Sequence, residues 1–308
     1  MAIEQNKIPR IGIVGEFQSG KSTLINCLLE NRVAISGIGI ATTKQVTRYY
    51  FSEKIILHAF KKQADVPDIS KENITREDFE KIILNHDIAF CELGMPCRLL
   101  KHVELWDTPG LNANDRDNKV TETFFEKLDY VFMLVSKGLK DSDIETLHLI
   151  SKYKVPYTVL YNSTSEDQWD PDHISNRNIC ETCIAQMKQL GFESNIVIPE
   201  KSSVFSINTA WSWFDIVQNQ KKNDDFILSP SAGEESLFRR VGNFLFFQHQ
   251  IPDLKKASNV DVLRNFLTSD GLDFGKLHNQ LEIYKEIFRF QKNFGNFFTE
   301  IVKKNEIF

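Results

Sequence analysis

Residues 11–23 read IGIVGEFQSGKST, and no other stretch of the chain constrains its fold as tightly. Ile11–Val14 is a short, largely β-branched run of the kind that forms a buried strand. Gly15-Glu16-Phe17-Gln18-Ser19-Gly20-Lys21-Ser22 follows at once and matches G-x-x-x-x-G-K-[ST], and Thr23 leads into a stretch of helix formers. In that order the glycines let the backbone bend so that consecutive N–H groups point at the α- and β-phosphates of a nucleotide. The helix that follows adds the positive end of its dipole. Lys21 is expected to reach the β/γ-phosphates and the Ser22 hydroxyl to bind Mg²⁺. On this reading Gly15 through Thr23 are all nucleotide-binding residues.

A second motif supports the first. Val103-Glu104-Leu105-Trp106 reads as a strand and ends in Asp107-Thr108-Pro109-Gly110-Leu111. An Asp at a strand tip can hold Mg²⁺ through its water shell, and the Gly110 N–H can sense a γ-phosphate. Around these motifs, short apolar runs alternate with helix-like stretches up to about residue 245, which predicts an α/β fold with a mainly parallel sheet. The predicted strands are Ile11–Val14, Val46–Phe51, Ile55–Phe60, Val103–Trp106, Tyr130–Val135, Tyr157–Tyr161 and Val204–Ser206. The predicted helices are Thr23–Asn31, Asn118–Lys127, Asp141–Tyr153, His173–Leu190 and Glu234–Phe247. KENITREDFEK at 71–81 reads as a solvated helix face, and 219–234 as a polar loop. Beyond Pro252 the pattern is wholly helical, so a boundary is expected near residue 250, with Leu272–Phe308 as a long amphipathic, Phe-rich helix.

GEFQSGKSTLINCLL, DTPGL, the intervening ISGIGIATTKQVTRYYF and the later DYVFMLVSKGLKDSDIETL together resemble the GTPase domains of bacterial dynamin-like proteins and mitofusins. The resemblance covers residues 8–245. It implies a P-loop NTPase fold with three α/β/α layers at 1–250, and the pattern beyond Pro252 adds a small all-helical segment at 251–308. The resemblance implies GTP as substrate, Mg²⁺ as cofactor, and activation by dimerisation across the nucleotide face. It also implies that Thr42, with Thr43 as alternate, closes over Mg²⁺ and the γ-phosphate; without the family, the two are simply β-formers before a strand. Leu111 stands where small signalling GTPases place a water-orienting Gln, and a Leu side chain has no group to orient water. The family's loop positions correspond to Phe17 and Gln18, which makes Gln18 the candidate catalytic residue beside Lys21 and Thr42. Gln18 also reads as a solvated loop residue.

One departure bears on the choice of base. After Tyr157–Tyr161 the family presents Asn/Thr-Lys-x-Asp, whereas this chain has Asn162-Ser163-Thr164-Ser165. Asn162 retains hydrogen-bonding groups for the base, but the guanine-reading carboxylate is gone, and losing such charge-assisted bonds costs about 1.5–3 kcal/mol each. Asp167 and Asp170 are nearby carboxylates able to fold back. Ser206–Ala210 resembles the loop that backs the base, offering backbone N–H groups to O6. The competing reading is therefore a nucleotide-gated binding module with little turnover and relaxed base specificity, acting through a partner protein.

The remaining features narrow the class. A net charge of −5 offers no general attraction to nucleic acid. No run of about 18 apolar residues occurs, and MAIEQNKIPR lacks the apolar core of a secretory signal, so a cytoplasmic protein is expected. Five cysteines in such a chain point to reduced thiols, and Cys180 and Cys183 read as small residues one turn apart on an amphipathic helix with Ile174, Ile179, Ile184, Met187 and Leu190. The Leu272–Phe308 helix is the expected contact for a hetero-partner. Peripheral membrane contact through FRFQKNFGNFF is the less favoured reading, and 251–308 is expected to be too short for a long membrane-binding stalk.

Overall fold

The computed structural model describes residues 8–34, 45–61, 64, 66–85, 87–108, 124–163, 171–192, 198, 201–219, 226–246 and 253–268. Ile8–Thr268 make one compact unit. In chain order its elements are β1 (Arg10–Gly15), α1 (Lys21–Leu29), β2 (Val46–Phe51), β3 (Ile56–Lys61), β4 (Ile69–Glu72), α2 (Arg76–Ile83), β5 (Ile88–Met95), a 3₁₀ turn (Leu99–Lys101) and β6 (Glu104–Asp107). They continue with β7 (Tyr130–Val135), α3 (Asp141–Lys152), β8 (Tyr157–Asn162), α4 (Ile174–Gln189), β9 (Val204–Ile207), α5 (Thr209–Asn219), α6 (Ala232–Phe246), α7 (Leu254–Ala257) and α8 (Val260–Thr268).

The strands form one sheet in the order β4-β3-β5-β2-β6-β1-β7-β8-β9. β6, β1, β7, β8 and β9 run parallel, and every residue of β7 and β8 is buried. That is why YVFMLV and YTVLYN read as continuous apolar runs: a parallel sheet is covered on both faces. β2 turns antiparallel to β6, β5 runs parallel to β2, and β3 and β4 complete the far side antiparallel. On one face Phe124, Phe125, Leu128, Leu147, Ile150, Cys183 and Met187 pack on β7 and β8. α5, α6 and α7 meet around Trp211, Val241, Leu245 and Leu254.

Several expectations need correction. β4 and β5 were absent from the predicted strands. Lys71 and Glu72 belong to β4, and the helix expected at 71–81 starts only at Arg76, where Thr75 caps it by accepting from the Asp78 N–H at 3.2 Å. β5 hides its pattern because Glu92 interrupts it. That charge is taken up across the sheet by Arg48 of β2 at 2.8 Å, a pairing invisible to local periodicity. α5 was expected to begin as loop. Asn208 initiates it, its Oδ1 accepting from the Trp211 N–H at 3.0 Å, and Trp213 buries completely beneath it. In α4 the buried face is Asn176, Cys180, Cys183 and Met187, while Ile174 and Leu190, expected on that stripe, are exposed at the helix ends.

Asp253–Thr268 follow the Pro252 break. Within the unit, Phe266 of α8 packs on Tyr130 and Phe132 with ring centroids 5.7 and 6.2 Å away. Arg264 donates to the Cys27 carbonyl at the end of α1 at 2.6 Å. The predicted Leu272–Phe308 helix, most of Asn118–Lys127, and residues Thr42, Thr43, Gly110, Leu111 and 164–170 lie outside the described residues.

Candidate functional site

β1 runs up the middle of the sheet and delivers the loop 15–20 to its carboxyl edge. Gly15 has φ 143°, and a Cβ there would lie 2.3 Å from the Leu134 carbonyl oxygen of β7, so only glycine lets the loop start this close to the neighbouring strand. Gly20, at φ 99°, is hemmed in the same way, since a Cβ would meet Asn162 Nδ2 at 2.2 Å. Between them the Ser19 N–H closes the turn on the Glu16 carbonyl at 3.2 Å, Gln18 takes φ 62°, and Phe17 and Gln18 are exposed at the tip. α1 then begins at Lys21 with no capping side chain and no acidic residue in its first turn. Its N-terminal partial positive charge therefore faces the loop unneutralised by the helix itself.

Lys21 is buried, and its ammonium donates to the Gly15 and Glu16 carbonyls at 3.0 and 2.8 Å. Burial lowers its pKa, against the opposing charges of Asp107 and Glu16. Asp107 stands beside Ile13 of β1 in the strand register, at the tip of β6. It is 1% exposed, and burial pushes its carboxyl up to about 7 against the pull of Lys21, the Ser22 hydroxyl and the Thr108 backbone. Its Oδ1 has no hydrogen-bond partner among the described residues. Thr108 pins this tip to β1 by donating to the Ile13 carbonyl at 3.0 Å. A buried carboxylate oxygen left open beside a hydroxyl is an oxygen donor set suited to a hard divalent cation such as Mg²⁺, and Ser22 and Asp107 are the residues that could hold it.

On the other flank, Asn162 ends β8. Its Nδ2 donates to the Ser19 carbonyl at 2.9 Å, and its Oδ1 accepts from the Thr209 N–H and hydroxyl, each at 3.2 Å. It thereby laces the phosphate loop to the start of α5. The Ser163 hydroxyl donates to the Ile207 carbonyl at 3.2 Å. Ser206 is buried within β9, and its carbonyl accepts from Asn259 Nδ2 at 3.1 Å. The expected base-backing loop at 206–210 is instead a strand end and a helix start. Two of its N–H groups are engaged internally, Asn208 with the Ser258 carbonyl at 2.9 Å and Thr209 with Asn162.

Gly15, Glu16, Phe17, Gln18, Ser19, Gly20, Lys21, Ser22 and Thr23 thus form one loop and helix start, with Asp107 beside Lys21 and Asn162 beneath Gly20. Ser206 lies one strand further out. Two side chains at this site were missed. Lys140 and Ser142, at the start of α3, both donate to the Glu16 carboxylate. Only the basic and hydroxyl residues opening a predicted helix hinted at them. Cys180 and Cys183 are buried thiols inside α4, and no group of three or more His, Cys, Asp or Glu able to hold a metal occurs among the described residues.

A family model described as the Dynamin family matches residues 11–158. The probable transmembrane GTPase FZO-like, chloroplastic, of Arabidopsis thaliana is 28% identical over 156 residues, 49% of this chain and 15% of that protein. Dynamin-like protein 2 of Campylobacter jejuni subsp. jejuni serotype O:23/36 (strain 81-176) is 30% identical over 117 residues, 38% of this chain and 19% of that protein. The chain therefore spans less than a fifth of the length of either relative. A solved oligomerised bacterial dynamin pair, described as providing a mechanism for the long range sensing and tethering of membranes, shares the fold with a TM-score of 0.53 at 19% identity, over 89% of this chain and 36% of that one. No helix among the described residues is long and apolar enough to cross a membrane. The matched stretch contains the loop, α1 and Asp107, and it is to the dynamin-like GTPase domain of the Dynamin family that residues 11–158 are similar.

Proposed function

We propose that this domain binds GTP with Mg²⁺ and hydrolyses it to GDP and phosphate by in-line attack of water. The observation that carries the reading is the juxtaposition of Lys21, Ser22 and Asp107 at the adjoining tips of β1 and β6. A triphosphate entering the loop offers the Lys21 ammonium a better partner than the two carbonyls it now holds, and charge developing on the γ-phosphate is stabilised there. Ser22 and Asp107 are the cation-holding pair, with Thr42 added by the family resemblance. Mg²⁺ when bound supplies charge neutralisation across the β- and γ-phosphates. Gln18, exposed and in a left-handed conformation at the loop tip, is the candidate for orienting water. Phe17 and Gln18 together face outward where a second copy would dock across the nucleotide face. The test is Lys21→Ala: a loss of GTP affinity and of phosphate release of at least about a hundredfold is expected, and unchanged binding and turnover would overturn the reading.

A nucleotide-gated module with little turnover and relaxed base specificity is the second reading. It is favoured by the internal engagement of Asn162, Ser163 and Thr209, and it would act through a partner protein at the Leu272–Phe308 segment. Titration with GTP, GDP and ATP, followed by phosphate release over a concentration series, separates the two. Release per molecule that rises with protein concentration supports the dimer-activated GTPase. Tight binding with flat, negligible release supports the module. A cytoplasmic location and the absence of nucleic-acid binding remain part of the proposal.

A further inference from the structure

The four variable positions between Gly15 and Gly20 divide by environment: Phe17 and Gln18 are exposed, Ser19 is buried, and Glu16 is half-buried with its carboxylate turned toward α3. An acidic side chain in a loop that gathers phosphate oxygens opposes the ligand's charge unless it is itself neutralised. Here the carboxylate is taken up twice, by the Lys140 ammonium and by the Ser142 hydroxyl. Burial raises the Glu16 pKa, and the bonds from Lys140 and Ser142 with the charge of Lys140 outweigh it, leaving the carboxyl below its ordinary value and ionised. The same residue's carbonyl accepts from Lys21 Nζ at 2.8 Å and from the Ser19 N–H at 3.2 Å. One residue therefore links the loop's closing bond and its lysine, through the backbone, to the first turn of α3, through the side chain. That turn is itself held, since the Lys140 N–H donates to Asp143 Oδ2 at 3.1 Å and the Ile144 N–H to the Lys140 carbonyl at 2.9 Å.

We infer that Lys140 is a positioning and charge-balancing residue for nucleotide binding: through Glu16 it neutralises the acidic position of the phosphate loop and fixes the Glu16 backbone against which Lys21 is held. The inference rests on the phosphate-site reading above. A residue that touches no substrate acts here by deciding whether the loop meets a polyanion with or without an uncompensated carboxylate. The effect is graded by ligand charge, larger for a triphosphate than for a diphosphate, and it weakens as salt screens it.

The test measures dissociation constants of fluorescent GTP and GDP for the full chain and for Lys140→Ala, Glu16→Gln and Lys140→Ala/Glu16→Gln, at about 50 and about 500 mM salt. Lys140→Ala is expected to weaken GTP about tenfold and GDP less, with the gap shrinking at high salt. Glu16→Gln, which removes the charge and keeps an acceptor, supplies the background in which Lys140→Ala is measured a second time. The double variant is expected to recover most of the loss. If Lys140→Ala binds GTP within about twofold of the parent, or if Glu16→Gln fails to recover it, the inference is overturned. Should Lys140→Ala lower the melting temperature, Lys140→Arg, which keeps the charge and a donor, is measured in its place. Parent-like GTP binding supports the inference, and the alanine variant's weakness overturns it. Lys21→Ala in the parent serves as the control for the site: if it leaves binding intact the phosphate-site reading fails, whatever Lys140 does.

Discussion

Asn162 carries more of this site than its place in a degraded base motif suggests. Both ends of its amide are engaged in the fold, toward Ser19 and toward Thr209, and it is 2% exposed. Truncation leaves a buried carbonyl and a buried N–H without partners, at about 1–3 kcal/mol for each such group. Asn162→Ala should therefore lower unfolding stability by about 2 kcal/mol in urea titrations. It should weaken GTP and ATP by similar factors, because the loop, and not one base, loses its support; a loss confined to GTP would show instead that the side chain reads guanine. The motifs at 15–22 and 107 were legible residue by residue, since their chemistry depends on local sequence. The partners of Asn162 were not, because Ser19 and Thr209 lie far from it in the chain and meet it only after the sheet closes.

At the scale of elements, α1 is held from several sides. Asn26, fully buried, accepts from the Val33 and Ala34 N–H groups at 2.9 and 2.8 Å and donates to the Ala34 carbonyl at 2.9 Å. Just beyond it, Arg32 makes a forked pair with Glu234 of α6, the two side chains 3% and 2% exposed. Arg32 also donates to the Leu228 carbonyl at 3.2 Å and lies over the ring of Phe226 at 4.3 Å. Removing one member of such a pair strands the other charge, typically at about 3–5 kcal/mol. Glu234→Gln should accordingly reduce the thermal midpoint far more than Glu72→Gln at the exposed Lys54 pair, where about 0–1 kcal/mol is expected. Differential scanning of the two variants checks the ordering. Helix α6 itself was foreseen from its spacing, but its pairing with Arg32 follows from packing.

For the whole molecule, the dependence of stability on pH carries a recognisable sign. Asp143 is buried, and that burial first, with the negative charge of Glu16 behind it, raises its carboxyl to about 6. Between about pH 4, where it titrates in an unfolded chain, and pH 6 the native state holds the proton more firmly than the unfolded state. Its contribution to stability therefore falls as pH rises through that window and stays low above it. Asp143→Asn, which retains an acceptor for the Lys140 N–H, should stabilise the protein at pH 7–8 by on the order of 1 kcal/mol and flatten this part of the profile. Denaturant melts from pH 4 to 8 provide the check, and a parent-like slope in the variant would assign the dependence elsewhere.

The sequence by itself determined the parallel half of the sheet, the phosphate loop and the carboxylate at the tip of β6. Buried parallel strands advertise themselves as apolar runs, and the loop's glycines answer to backbone geometry that any neighbour must respect. Tertiary structure alone decided β4 and β5, the start of α5 at Thr209, and the union of Glu16 with Lys140 and Ser142. In β5, at the start of α5 and at Glu16 a polar residue is satisfied by a partner distant in the chain. Local periodicity registers such a residue only as an interruption until folding supplies the other half of the bond.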